Sequence, residues 1–146
     1  MKRRIRQIIW CSVFLTGGAG CSSPYQNAVT DIPARKWSEA IEIRMENADT
    51  LTLRDAALFL RCNDRFTEDT LTVRIATLSP DSLRFEESFL LAITRKNTPA
   101  ALMHEYLIPY RRRIRLSRTG EYRLVVTPER SVRGVEAVGI RLSKSN

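Results

Sequence analysis

Short runs in which apolar and polar residues alternate at every second position, each closed by turn residues, limit what this chain can fold into. Side chains two residues apart share a face of a strand, so such runs suit half-buried strands and no amphipathic helix. AIEIRM places Ile41, Ile43 and Met45 on one face and Glu42 and Arg44 on the other. LTVRIAT groups Leu71, Val73 and Ile75 before the turn Ser79-Pro80-Asp81-Ser82. EYRLVV groups Tyr122, Leu124 and Val126 after the turn at Thr119-Gly120, and VEAVGIRL groups Val138, Ile140 and Leu142. AALFLRC is almost continuously apolar, as a central strand covered on both faces would be. LRFEESFLLAI, HEYLIPY and RRRIRLS bring the expected total to about eight strands. The expected class is all-β: an antiparallel β-sandwich over residues 37–146, of which the jelly roll is one form. A closed barrel fits the same alternation.

Residues 1–23 read MKRRIRQIIWCSVFLTGGAGCSS. Lys2, Arg3, Arg4 and Arg6 precede an apolar stretch that runs from Ile8 to Gly17 and Gly18. A spanning helix needs roughly 20 apolar residues, whereas a secretory signal needs a charged start, an apolar centre of about 7 to 15 and small residues at the cut. Residues 1–20 therefore read as a signal peptide. Gly18-Ala19-Gly20 before Cys21 resembles the lipobox of bacterial lipoproteins, which implies cleavage before Cys21 and its modification by lipid such as palmitate. One acyl chain holds only marginally, at about 0.8 kcal/mol per buried methylene, and two or three hold firmly. A plain secreted protein cut near Ala19, with Cys21 free or paired with Cys62, fits the same residues. The polar stretch SSPYQNAVTDIPAR carries Pro24 and Pro33 and shows no apolar period, so residues 21–36 read as the lipidated N-terminus and a tether.

Discounting the leader changes the charge. Four of the 24 basic residues lie in it and all 16 acidic ones follow it, which leaves 20 against 16, a net +4 in place of +8. A nucleic-acid binder would want exposed aromatics interleaved among its cations, and an exported chain rarely meets DNA or RNA, so no nucleic-acid partner is expected at that balance.

Histidine occurs once, at His104, so a multi-histidine metal site is excluded and a Ser-His-Asp triad would depend on that residue. HEYLIPY has no second histidine at helical spacing, and Glu86 and Glu87 are strand neighbours that point to opposite faces. Cys62 reads as a small buried hydrophobe. GxGxxG, GxxxxGK[ST] and GxSxG are all absent from the sequence. The expectation is no enzyme, no cofactor, no metal and no small-molecule substrate. The densest feature is YRRRIRLSR, residues 110–118. In a regular strand Tyr110, Arg112, Ile114, Leu116 and Arg118 share one face, and Arg111, Arg113 and Arg115 form a ladder on the other. Guanidiniums about 7 Å apart repel unless carboxylates on neighbouring strands or an anionic partner compensate. The second case makes the ladder a partner-binding surface.

A wider pattern runs through the chain. Cys21 is followed by Tyr25, Trp37 opens the domain, and Asp49-Thr50 precede a strand that ends Leu60-Arg61-Cys62-Asn63, with Phe66 after it. GEYRLVVTPERSVRGVEAVGIRLSK then carries Gly120, Tyr122, Arg130, Gly134, Val138 and Gly139. In order and spacing these residues resemble the gliding-motility lipoprotein GldH family of Bacteroidetes. The resemblance implies a membrane-anchored envelope lipoprotein, held through lipid on Cys21, whose partners are envelope proteins of the gliding and type IX secretion machinery. Surface-sent lipoproteins of that phylum tend to carry acids just after the cysteine. Here Ser22, Ser23, Pro24 and Tyr25 follow it and the first acid is Asp31, which favours a periplasm-facing anchor in either membrane. The alternative is a glycan-binding module, which would need Trp37, Tyr106 and Tyr110 exposed on one concave surface.

Overall fold

The computed structural model describes residues 25–33, 35–95 and 102–146; the leader and Cys21 lie outside them. The strands are β1 (Tyr25–Asp31), β2 (Lys36–Trp37), β3 (Ile41–Asn47), β4 (Leu53–Asn63), β5 (Thr70–Leu78), β6 (Arg84–Ala92), β7 (Met103–Arg115), β8 (Gly120–Pro128), β9 (Val132–Arg133) and β10 (Val135–Lys144). They form two four-stranded sheets, in the orders β1-β10-β4-β7 and β3-β8-β5-β6, and a short ribbon β2-β9. All pairings are antiparallel. Outside the ribbon the chain changes sheet at every step except the β5–β6 hairpin, which is the jelly-roll order. Among the described residues no strand pairing joins the two sheets, so the architecture is a sandwich and not a closed barrel.

The core lies between the sheets, on the faces that alternation marks. Ile41, Ile43 and Met45, Leu71, Val73 and Ile75, Tyr122, Leu124 and Val126, and Val138, Ile140 and Leu142 are all buried. Each aliphatic side chain removed from water in this way contributes about 1.5–3 kcal/mol. Leu58, Leu60 and Cys62 of β4 join this core, while Phe59 on the opposite face is only 6% exposed. β4 therefore buries one face in the core, while on its outer face Phe59 alone is buried and Ala57 and Arg61 are only partly covered, short of the double coverage that its apolar run suggested.

Two parts of the chain depart from the sequence-based reading. Tyr25–Asp31, expected to be tether, pairs with β10 along its whole length, from Tyr25 opposite Ser143 to Asp31 opposite Ala137. The folded domain therefore begins before Trp37. The more buried positions of β1 are Gln26, Ala28 and Thr30, polar or small, so this edge strand has no apolar period to display. It comes close to its partner because residue 139 is glycine. A Cβ there would lie 2.5 Å from the Ala28 carbonyl oxygen.

The second departure is in β7. HEYLIPY and RRRIRLS, expected as two strands, merge into a single strand, Met103–Arg115. Its register against β4 slips twice: Ala57 faces Pro109, Ala56 faces Arg111, and Arg54 faces Ile114. Each slip inserts one extra residue, and a β-bulge of this kind resets which way the following side chains point. Arg113 takes φ +53° within the second bulge. Tyr110 and Ile114 pack on the core, and the regular ladder of Arg111, Arg113 and Arg115 does not form.

Side chains close both open margins of the sandwich. At one, Gln26 Nε2 donates to the Glu46 carbonyl at 2.8 Å and Thr30 Oγ1 to the Glu42 carbonyl at 2.9 Å, tying β1 to β3. At the other, Tyr110 and Arg111 of β7 reach Glu87 of β6. One end is closed by Asn47, 3% exposed, whose Nδ2 donates to the carbonyls of Leu116 at 3.1 Å and Arg118 at 2.8 Å.

Candidate interaction site

The arginine run is divided by its bulges into two kinds of residue. Arg111 belongs to the clasp between the sheets, with its guanidinium 2.5 Å from Glu87 Oε2 while Tyr110 Oη donates to Oε1 at 2.6 Å. Glu87 faces the interior side of β6 and Glu86 the other, where it pairs with Arg84 and Arg74. Arg112, Arg113 and Arg115 are exposed and, among the described residues, make no ion pair. Asp55 lies opposite the second bulge and accepts the Arg113 backbone N–H at 2.8 Å. That bond first, and the Arg112 and Arg113 charges last, hold the Asp55 carboxyl below the usual range.

Partial burial opposes the charge of Glu87, but the Tyr110 hydroxyl and the Arg111 guanidinium outweigh it and lower its pKa. Burial and the bond to Glu87 push the Tyr110 phenol up to about 12. A carboxylate with a depressed folded pKa stabilises the fold fully above its unfolded value, and that stability is lost as pH falls through the folded one. Glu87→Gln should therefore cost about 1–2 kcal/mol at neutral pH, allowing for screening at half-exposed Arg111. Urea unfolding at neutral and acidic pH checks this: the gap between variant and parent narrows as pH falls below the ordinary glutamate range and through the depressed pKa of Glu87, and a pH-independent gap would exclude an ionic clasp.

Most residues that carry the family resemblance have architectural roles. Trp37 is 1% exposed, and its Nε1–H donates to the Glu39 carbonyl at 2.9 Å. Asp49 caps the loop before β4 by accepting the N–H groups of Leu51 and Thr52 at 3.0 and 3.1 Å. Asn63 takes the Gly134 carbonyl on its own N–H at 2.8 Å, accepts the Arg65 N–H on Oδ1 at 3.0 Å, and binds Glu136 through Nδ2. Tyr122 is buried and accepts the Arg118 N–H on its hydroxyl at 3.1 Å. Arg130 pairs with Glu68, joining the β8–β9 turn to the segment before β5. Arg61 differs, because it pairs with Glu105 at 3.2 Å on the outer face of the first sheet.

That outer face carries a concave surface that alternation did not announce. Phe59 forms its floor, with the Arg61 guanidinium 5.7 Å from the ring centroid. Arg141 lies 4.7 Å from the centroid of the Tyr25 ring and donates to Asn27 Oδ1 at 2.9 Å. Hollows of about 330 and 230 Å³ meet here and share Phe59, Glu105 and Arg141. Val29 and Leu107 stand exposed beside them. An apolar floor with a charged rim is the anatomy of a protein-docking surface. Sequence reading missed it because part of it comes from β1, read as tether, and the rest from strands whose other face fills the core.

The remaining candidates are not assembled into a reactive site. Cys62 and His104 are register partners in β4 and β7, with no hydrogen bond between their side chains. The thiol is fully buried, and that burial, with Glu136 adding, pushes its pKa up to about 12, away from the thiolate a nucleophile needs. Trp37 is buried and Tyr106 and Tyr110 pack against the core, so these three form no exposed aromatic platform. Among the described residues no group of three or more His, Cys, Asp or Glu side chains could hold a metal ion. Comparison with protein-family models and with curated proteins finds no match for this chain.

Proposed function

We propose that this chain is a non-enzymatic envelope lipoprotein of the GldH kind, anchored through lipid on Cys21 and facing the periplasm, whose sandwich docks envelope proteins of the gliding and type IX secretion machinery. The observation that supports docking is the outer face of the first sheet, where Phe59, Val29 and Leu107 lie among Arg61, Arg141 and Glu105. The β7 edge borders this face and adds the exposed cations Arg113 and Arg115. Its mechanism is tethering: the lipid confines the module to a membrane surface, and the face and edge hold the partner there.

The test is crosslinking in native cells, followed by purification of the tagged full chain and mass spectrometry of what accompanies it. The parent should bring down gliding or type IX secretion components. Arg113→Glu/Arg115→Glu should reduce that capture at least tenfold with an unchanged thermal midpoint; Arg111 is kept, because its replacement would break the Glu87 clasp. Undiminished capture would remove the β7 edge from the assignment, and recovery of polysaccharide alone would transfer the module to the glycan-binding class.

A further inference from the structure

A second cationic site lies at the opposite end of the sandwich. Arg35, Lys36, Arg65 and Arg133 line a hollow of about 610 Å³. Its construction follows from the two-residue ribbon β2-β9. Trp37 and Val132 face each other and are each 1% exposed, which anchors the ribbon in the core. The alternation of a strand then turns their neighbours outward, and Lys36 stands directly opposite Arg133. Like charges at directly opposed positions destabilise a ribbon. Arg65 is brought beside them by the turn that Asn63 and Gly134 hold together.

Among the described residues no carboxylate forms an ion pair with this cluster, and Asp31, Glu39 and Asp64, the acids nearest in sequence, make no ion pair either. Glu136, the other acid nearby, is engaged by Asn63. Other arginines have carboxylate partners, as in Arg61 with Glu105, Arg111 with Glu87 and Arg118 with Asp81. We infer that Arg35, Lys36, Arg65 and Arg133 form a binding site for a multiply charged phosphate ester. Three guanidinium forks and one ammonium suit phosphate oxygens, and a diphosphate concentrates enough negative charge in one group to compensate several cations at once.

The site's position adds a constraint. β1 advances roughly 20 Å from Tyr25 to Asp31, and Arg35 and Lys36 follow at its far end. Only Ser22, Ser23 and Pro24 separate Cys21 from Tyr25. On the tethered reading above, and resting on it, the hollow lies at the end of β1 remote from the anchored cysteine.

Calorimetric titration of the full chain in neutral phosphatidylcholine nanodiscs tests the site, with inorganic pyrophosphate and short-chain dibutyryl phosphatidic acid as separate probes. Arg65→Gln/Arg133→Gln should weaken binding at least tenfold, whereas Arg112→Gln/Lys144→Gln, which removes the same charge at exposed unpaired cations away from the hollow, should leave it within twofold. Preference for pyrophosphate identifies the diphosphate group of a soluble ligand, and preference for the short-chain lipid identifies a headgroup. Absence of binding by either probe, or equal weakening in both variants, overturns the site. No partner protein takes part, so this outcome is independent of the capture experiment.

Discussion

Gly134→Ala is expected to destabilise the domain by about 3–5 kcal/mol, enough to unfold most of a marginally stable population. Residue 134 sits at φ +79°, where a side chain costs roughly 1–2 kcal/mol by itself. The larger part is collision. An added Cβ would lie 2.3 Å from the Phe66 backbone nitrogen, 2.7 Å from the Arg65 carbonyl carbon and 2.8 Å from Asn63 Oδ1. Two of these are backbone atoms, so relief requires moving the turn, and moving it strains the Asn63 N–H bond to the Gly134 carbonyl and unseats buried Phe66. Asparagine tolerates positive φ, so Gly134→Asn should recover no more than about 1 kcal/mol, since its Cβ collides as well. Urea unfolding gives both values. An alanine variant within about 1 kcal/mol of the parent would show that the turn can shift freely and that close approach does not explain this glycine.

Trp37→Ala should cost about 3–5 kcal/mol through the cavity it leaves. The indole is 1% exposed between the two sheets' core and the ribbon, and its loss also frees the Glu39 carbonyl from its 2.9 Å bond. Trp37→Phe retains most of the buried surface but no N–H donor, and should lose about 1–2 kcal/mol. The pair separates packing from hydrogen bonding: similar losses in both variants would mean that the bond to Glu39 dominates, against the assignment made here. Because Trp37 anchors the ribbon that presents Lys36 and Arg133, the alanine variant should also weaken pyrophosphate binding.

The inward faces were legible residue by residue. Ile41, Ile43 and Met45, or Leu71, Val73 and Ile75, declare their direction through a two-residue repeat that is a property of one strand alone. The near-continuous run in β4 announced a central strand, although its outer face is buried only at Phe59. β1 was hidden because an edge strand needs little apolar surface, and Ala28 between Gln26 and Thr30 carries almost none. The bulges in β7 were hidden for a different reason. They are defined by register against β4, far earlier in the chain, so nothing within YRRRIRLSR marks where the alternation resets.

The same division runs through the polar residues. Composition establishes how many arginines there are, but the tertiary structure decides which are neutralised wherever the carboxylate comes from a distant segment: Glu87 for Arg111, Glu105 for Arg61, Glu68 for Arg130. It also decides which cations are left over, gathering Arg35, Lys36, Arg65 and Arg133 from three separate segments around one hollow. The sequence by itself determined the strand class and its buried faces, since side-chain alternation is local. Pairing order, register and charge partners came from the fold, since they depend on contacts between segments that only the jelly-roll topology brings together.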